Sequence, residues 1–391
     1  MARHGQNDRN IRRENRSCQY EKVGGGTTIM QAVIVQAKRT PFGEKNGMLK
    51  DYRPEHLAAP LIQHFSNVTK PDDIILGNVV GGGGNIARLS SLEAGLSLHI
   101  PGMTIDRQCA SGLEAIRTAC IMIQSGEGSI YIAGGTESIS RSPMKERARF
   151  SPEWIGDPHM GEAAELTASR FSVARQEQDD YALLSWERSI TAFKQGTYSE
   201  EIVPISGMST DEAAAKIRPI ASLIKRAKPV FLPGKGTVTV TNSCKEADGA
   251  AAVVVMERAE AEAKGFSPML RYIGSAVTAI DPHYPAASPI DAIKKLLHKE
   301  QVKIEDVALF EINEAFALKV VLIARTLGIP YDRINKKGGA LCLGHPYSAS
   351  GAAMMVRLFY EARALPNGSY VMAAIGSGGG VGLATLWKVL S

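Results

Sequence analysis

Two stretches, CASGLEAIRTACIMIQSGEGSIYIAGGTES at 109–138 and YSASGAAMMVRLFYEARALPNGSYVMAAIGSGGG at 347–380, decide how this chain reads. Each runs in the same order: a Ser-Gly pair, an apolar helical segment, a Gly-Ser step, an aromatic-containing strand and a Gly-rich turn. The offset from Gly112 to Gly351 is matched within one residue by the offset from Ser129 to Ser369. Upstream, DDIILGNVV at 72–80 echoes EDVALFEINEA at 305–315. A repeat on this scale implies two similar halves that face one another. Equivalent helix starts then share one cleft, which brings Cys109 together with His345 of GGALCLGHPYSASG.

Outward from the repeat, apolar strands alternate with amphipathic helices, the pattern of α/β layering. Strands are expected at 31–37, 73–80, 102–106, 129–135, 248–256, 269–279, 307–312 and 370–388, the last broken by glycines. Helices are expected near 54–67, 86–97, 111–125, 161–171, 176–195, 258–264, 289–299, 314–327 and 349–363. Residues 141–245 interrupt the pattern with charge and proline, as insertions that carry recognition loops do. A disordered or purely structural excursion is the alternative. The expected organisation is therefore an N-terminal half at 30–140 and 246–268, an insertion at 141–245 and a C-terminal half at 269–391.

At 391 residues, with 44% hydrophobic and 22% charged content, the chain can bury a large core. Five cysteines without CxxC spacing argue against a disulfide framework or a metal site and for a reducing cytoplasm. No apolar run approaches the roughly 18 residues that span a bilayer, so no membrane partner is expected. The net charge of +5 hints at nucleic acid until it is located. Residues 1–29 hold six Lys/Arg against three acids, so the excess is largely a tail effect and no nucleic-acid partner is expected. Met30 precedes a convincing strand, and 1–29 reads as a disordered leader or tag, with a short nucleic-acid-binding arm as the alternative.

Cys109 and His345 each stand where a turn feeds a helix. Free N–H groups and the positive helix end favour a thiolate at Cys109 and lower its pKa. A histidine alongside completes a nucleophile and base. The bland readings are a buried core cysteine and a turn histidine before proline; Ala-Ser-Gly after Cys109 does not form an apolar face.

The segments CASG, HMGEAAE with ARQEQDDYA, GTVTVTNSCKEADGAA, NEAFA and GGALCLGHPYSASG resemble, in order from Met30 to the C-terminus, those of thiolases, the acetyl-CoA C-acetyltransferases and related acyltransferases. Ketosynthases of the same fold show a Cys-His-His set instead. The resemblance implies two duplicated βαβαβαββ halves in a five-layered core, with an inserted loop domain over the CoA moiety. It implies Cys109 as the nucleophile that becomes an acyl thioester, and His345 as its base. Asn313 would hold a water beside the histidine in an oxyanion hole; an ordinary helix N-cap is its plain reading. The N–H groups of Cys109 and Gly378 would form a second hole. His159 and Met160 would lie beside the acyl and pantetheine groups, and Cys244 would replace a pantetheine-contacting serine. Cys120 is expected in the core. The substrate is a short acyl-CoA, and no cofactor is expected.

One position departs from the family pattern. Thiolases end in CxGGGxG, whose cysteine moves the α-proton of acetyl-CoA, and here Gly376 stands in its place. Glycine cannot move a proton, and losing a positioned acid/base costs about 10²–10⁴ in rate. Cys342 or Ser377 could substitute. The acyl group could instead pass to another acceptor, to CoA or to water, the last making the protein an acyl-CoA hydrolase, or the chain could be an acyl-CoA-binding scaffold or regulatory subunit without turnover. Only about fifteen residues separate Pro143 from His159, where tetrameric thiolases are longer, so a homodimer is expected. Lys225 and Lys228, with Arg218 and Arg226, are candidates for a CoA phosphate, a solvated surface being the alternative.

Overall fold

The computed structural model describes residues 30–67 and 69–390, together with a short antiparallel pairing of Glu21–Lys22 with Thr28–Ile29. The leader expected at 1–29 otherwise lies outside the described residues. The fold is carried by strands β1 (Ala32–Arg39), β2 (Asp73–Gly77), β3 (Gly102–Ile105), β4 (Ile130–Glu137), β5 (Ala247–Glu257), β6 (Leu270–Ala279), β7 (Val307–Ile312), β8 (Tyr370–Ser377) and β9 (Val381–Val389). Strand β5 reads ADGAAAVVVME with every residue buried, as a strand covered on both faces should.

Strand order proves the repeat. The first half runs β3-β2-β4-β5-β1 and the second β6-β9-β8-β7. Strand β2 is parallel to β3 and β4, while β4–β5 and β5–β1 are antiparallel. The second half repeats this, with β7–β8 parallel and β8–β9 and β9–β6 antiparallel. The seat of β3 is held there by a single parallel bridge from Phe310 to Ile334. The halves meet edge to edge where β1 and β6 pair through Val33–Arg271 and Ile34–Leu270.

The helices layer these sheets. They are α1 (Pro54–Ser66), α2 (Ile86–Glu93), α3 (Ser111–Ser125), α4 (Met160–Arg170), α5 (Arg175–Lys194), α6 (Ser288–Glu300), α7 (Ala317–Leu327) and α8 (Tyr347–Glu361). Side chains alternate across each strand. In β8, Val371, Ala373 and Ile375 enter the central core with α3 and α8, whereas Met372 and Ala374 join the outer core under α6 and α7. Leu57, Leu61 and Phe65 of α1 cover the far face of the other sheet. Helix, sheet, helix pair, sheet and helix are the five layers of a duplicated α/β core.

Helices α3 and α8 cross at their first turns, and glycine permits the crossing. A Cβ on Gly112 would stand 2.3 Å from the Ser348 carbonyl oxygen, and one on Gly351 2.7 Å from Leu113 Cβ. Backbone contact this close excludes any larger residue.

Residues 141–245 pack on both halves. They contribute α4 and α5 and are tied to both halves by buried ion pairs. Arg39 of β1 meets Glu201 at 2.8 Å and Asp211 at 2.7 Å, and Arg357 of α8 meets Glu201 at 2.5 Å. Breaking such a buried group by removing one partner costs about 3–5 kcal/mol.

Two expected elements are corrected. The segment 370–388 is two strands around the turn Gly378–Gly380. The helix expected from 314 begins at Ala317, because Phe316 bridges Ser243 and the inward-facing Glu314 is held by Tyr181, Ser185 and Asn335. Among the described residues, no helix is long and apolar enough to cross a membrane.

Candidate active site

Cys109 ends a tight loop two residues before α3. Gln108 adopts a left-handed conformation with φ of 50°, a strain worth about 1–2 kcal/mol in a non-glycine residue. Ser111 holds the loop: its hydroxyl donates to the Gln108 carbonyl at 2.6 Å and accepts from the Arg107 N–H at 2.8 Å. The thiol is not lowered as expected. Burial pushes it up to about 11, with the charge of Lys319 pulling down and that of Glu137 pushing up. Desolvation of the anion outweighs the helix end.

His345 sits at the matching turn before α8. Its backbone N–H donates to the Lys245 carbonyl at 2.8 Å, and its Nδ1 lies 2.5 Å from Ser350 Oγ. Nε2 is buried and has no partner. Burial drives the imidazole down to about 3, and the Lys319 charge adds to this. The ring is therefore neutral. In the tautomer that donates Nδ1–H to Ser350, Nε2 carries a free lone pair.

Asn313 lies after β7, outside any helix, so it is not an N-cap; Phe316 holds that place without a side-chain cap. Its Oδ1 accepts from the Ala315 N–H at 3.3 Å and from Lys319 Nζ at 3.2 Å. Lys319 also donates to the carbonyl of Gly376 at 3.2 Å. Burial brings this ammonium down to about 8, against the opposing charges of Cys109 and Cys244. The sequence reading missed it, although a lysine inside the apolar run ALKVVLIA was a visible signal. Cys244 joins the centre through its N–H bond to the Ala315 carbonyl at 3.0 Å, and burial lifts its thiol to about 12.

The remaining expected residues line the approach. Gly378 packs so closely on Phe150 that a Cβ would stand 2.6 Å from the ring. His159 is the exposed N-cap of α4, stacked 6.1 Å from the Phe231 ring, with Met160 half-buried behind it. Nearby, Glu246 accepts from Tyr347 OH at 2.5 Å, and the Tyr347 ring lies 5.4 Å from that of His345. Beside this line, Trp186, Leu223, Ala227 and Val240 form an apolar groove with Arg218 and Lys245 at its edge. Both cations bind Glu44, which burial would raise but which hydrogen bonds from Lys216 and Lys245 hold at about 2. Lys225, Arg226 and Lys228 are exposed nearby.

Two sequence candidates are not brought in. Cys342 is buried in the outer core, where burial lifts its thiol to about 12 against a hydrogen bond with Ser189. Ser377 is buried and donates to the Val381 carbonyl at 3.4 Å. Cys120 lies in the central core. Among the described residues, no group of three His, Cys, Asp or Glu side chains is placed to hold a metal.

Comparison with known proteins agrees with this architecture. Residues 32–259 match the thiolase N-terminal domain, and 266–389 the thiolase C-terminal domain. YhfS of Bacillus subtilis (strain 168) is 58% identical over 364 residues, covering 93% of this chain and 100% of that protein. VraB of Staphylococcus aureus (strain N315) is 44% identical over 91% of this chain and 99% of its own. Both are provisionally named acetyl-CoA C-acetyltransferases. The crystal structure of the Bacillus anthracis acetyl-CoA acetyltransferase superposes with a TM-score of 0.85 at 33% identity, over 93% of this chain and 99% of that one. The chain belongs to the thiolase family.

Proposed function

We propose that the chain is an acetyl-CoA C-acetyltransferase that works by ping-pong acyl transfer through Cys109. The observation that carries this is the His345 Nε2 atom, buried and unpartnered on a ring fixed by Ser350. An orphaned buried nitrogen costs about 1–3 kcal/mol unless a partner arrives. The partner is the Cys109 thiol proton when a thioester is bound.

Both groups rest neutral, so proton transfer accompanies attack. The Cys109 sulfur bonds to the carbonyl carbon of a short acyl-CoA as its proton passes to Nε2. The C–S bond to CoA then breaks, and the departing thiolate takes the proton from His345. Charge on the carbonyl oxygen attacked by Cys109 is met by the N–H groups of Cys109 and Gly378, while a water on Asn313 beside His345 forms the other hole; one such donor is worth roughly 2.7–4 kcal/mol. The groove along Val240 and Leu223 takes the pantetheine and adenosine, beside His159, Met160 and Cys244. We also propose a homodimer through the outer edge of β3, beside which Leu89, Leu92 and Leu98 are exposed.

Intact mass after brief incubation with acetyl-CoA tests the first step. The expected result is one acetyl adduct, absent in Cys109→Ala. A second reading, an acyl-CoA-binding subunit without turnover, is favoured by Gly376 alone. CoA bound without any adduct would replace the transferase with that reading.

A further inference from the structure

Joining two acetyl groups requires a base for the methyl carbon of the second acetyl-CoA, and Gly376 supplies none. We infer that Lys319 Nζ is the acid and base of the carbon–carbon step, exchanging a proton with C2 of the acetyl-CoA that reacts at Cys109. This rests on the Cys109 acyl-enzyme proposed above.

Position is the first argument. Lys319 is 1% exposed, in the first turn of α7, and its Nζ is fixed between Asn313 Oδ1 and the carbonyl oxygen of Gly376 itself. In its protonated form it acts electrostatically on both Cys109 and His345. The second argument is valence. A neutral amine has two N–H bonds and one lone pair; the two bonds satisfy these two acceptors and the lone pair is left over. An ammonium here would carry a third N–H. The third is cost. A buried charge needs a paired opposite charge, and both acceptors are neutral; among the described residues no carboxylate ion-pairs with Lys319. A methionine would fill the space without that burden. Finally, the family cysteine has no room at 376, where a Cβ would lie 2.7 Å from Ser288 Oγ and 2.8 Å from the Pro285 carbonyl oxygen.

In condensation, neutral Lys319 takes a proton from C2 and becomes the ammonium. The resulting carbanion bonds to the acetyl carbonyl carbon on Cys109, the C–S bond breaks, and the Cys109 thiolate takes the proton back from Lys319. One acetyl-Cys109 and one acetyl-CoA become acetoacetyl-CoA and free Cys109. In thiolysis the Cys109 proton passes to Lys319, the sulfur attacks the ketone carbon, the bond from that carbon to C2 breaks, and the Lys319 ammonium protonates C2, leaving acetyl-Cys109 and acetyl-CoA. Burial holds Lys319 at about 8, so both forms are available near neutral pH.

The test compares Lys319→Met and Lys319→Arg with wild type, reading acetylation of Cys109 by intact mass and condensation by acetoacetyl-CoA formed. Arginine keeps the charge and cannot release its proton. In both variants the ratio of condensation to acetylation is expected to fall about 10²–10⁴-fold. A primary alkylamine is expected to restore Lys319→Met in proportion to its free base, which a merely structural lysine would not produce. Acetylation in Lys319→Met or Lys319→Arg reports that the site is folded. A ratio within tenfold of wild type in Lys319→Arg overturns the inference and leaves the Cys109 reading standing. Collapse in Cys244→Ala with normal Lys319 variants assigns the proton to that thiol and also overturns it. Wild type that takes no acetyl group overturns both.

Discussion

Alkylation of Cys109 in the ligand-free protein measures which influence on the thiol prevails. A helix-end cysteine of lowered pKa reacts quickly at neutral pH; a desolvated thiol near 11 does not. At pH 7 a thiol of pKa 11 is about 10⁻⁴ thiolate, against about 3% for a free cysteine at 8.5. That is roughly a 300-fold deficit. The more basic thiolate is intrinsically the better nucleophile, by about 13-fold over this difference at a Brønsted slope near 0.45. The net expectation is alkylation by iodoacetamide about 20-fold slower than free cysteine at pH 7, rising tenfold per pH step towards 11. Peptide mapping separates Cys109 from Cys244, whose thiol lies higher still, at about 12. The Lys319 charge is the largest influence opposing burial at Cys109, so Lys319→Met should slow the reaction further. A rate that levels off below pH 8 would refute the neutral resting pair and restore the helix-end thiolate.

Three other perturbations probe the frame. Ser350→Ala removes the partner of His345 Nδ1; acetylation of Cys109 by acetyl-CoA should slow about 5- to 150-fold, as losing about 1–3 kcal/mol of positioning implies, while CoA binding by calorimetry is retained. Gly112→Ala places a Cβ 2.3 Å from the Ser348 carbonyl oxygen; overpacking of about 1–3 kcal/mol should lower the urea midpoint and slow acetylation by parting α3 from α8. Gly376→Cys, which would restore the family residue, should instead lower the urea midpoint, because Ser288 and the Pro285 carbonyl occupy its path; an unchanged midpoint would contradict that packing.

What was legible in the sequence followed from periodicity and repetition. The matching offsets of Gly112 with Gly351 required two equivalent helix starts, and the strand order of both halves bears that out. Cys109 and His345 were legible because each stands two residues before the equivalent helix of its half. The protonation of Cys109 was not, since the helix end is local and visible in CASG, whereas burial is set by the opposite half of the chain. Asn313 was read as a cap candidate because sequence shows that a helix follows but not that Glu314 turns inward to Tyr181 and Ser185. Lys319 went unread for a related reason. Periodicity treats one lysine in an apolar helix as a tolerated exception, and only the carbonyl of Gly376, 57 residues away, gives it a purpose. Cys342 and Ser377, the substitutes nearest His345 and Gly376 along the chain, are both buried away from the centre. The carbonyl of Gly376, near the end of β8, is met instead from across the sheet, by a long side chain of α7, one of the two helices that cover the same face.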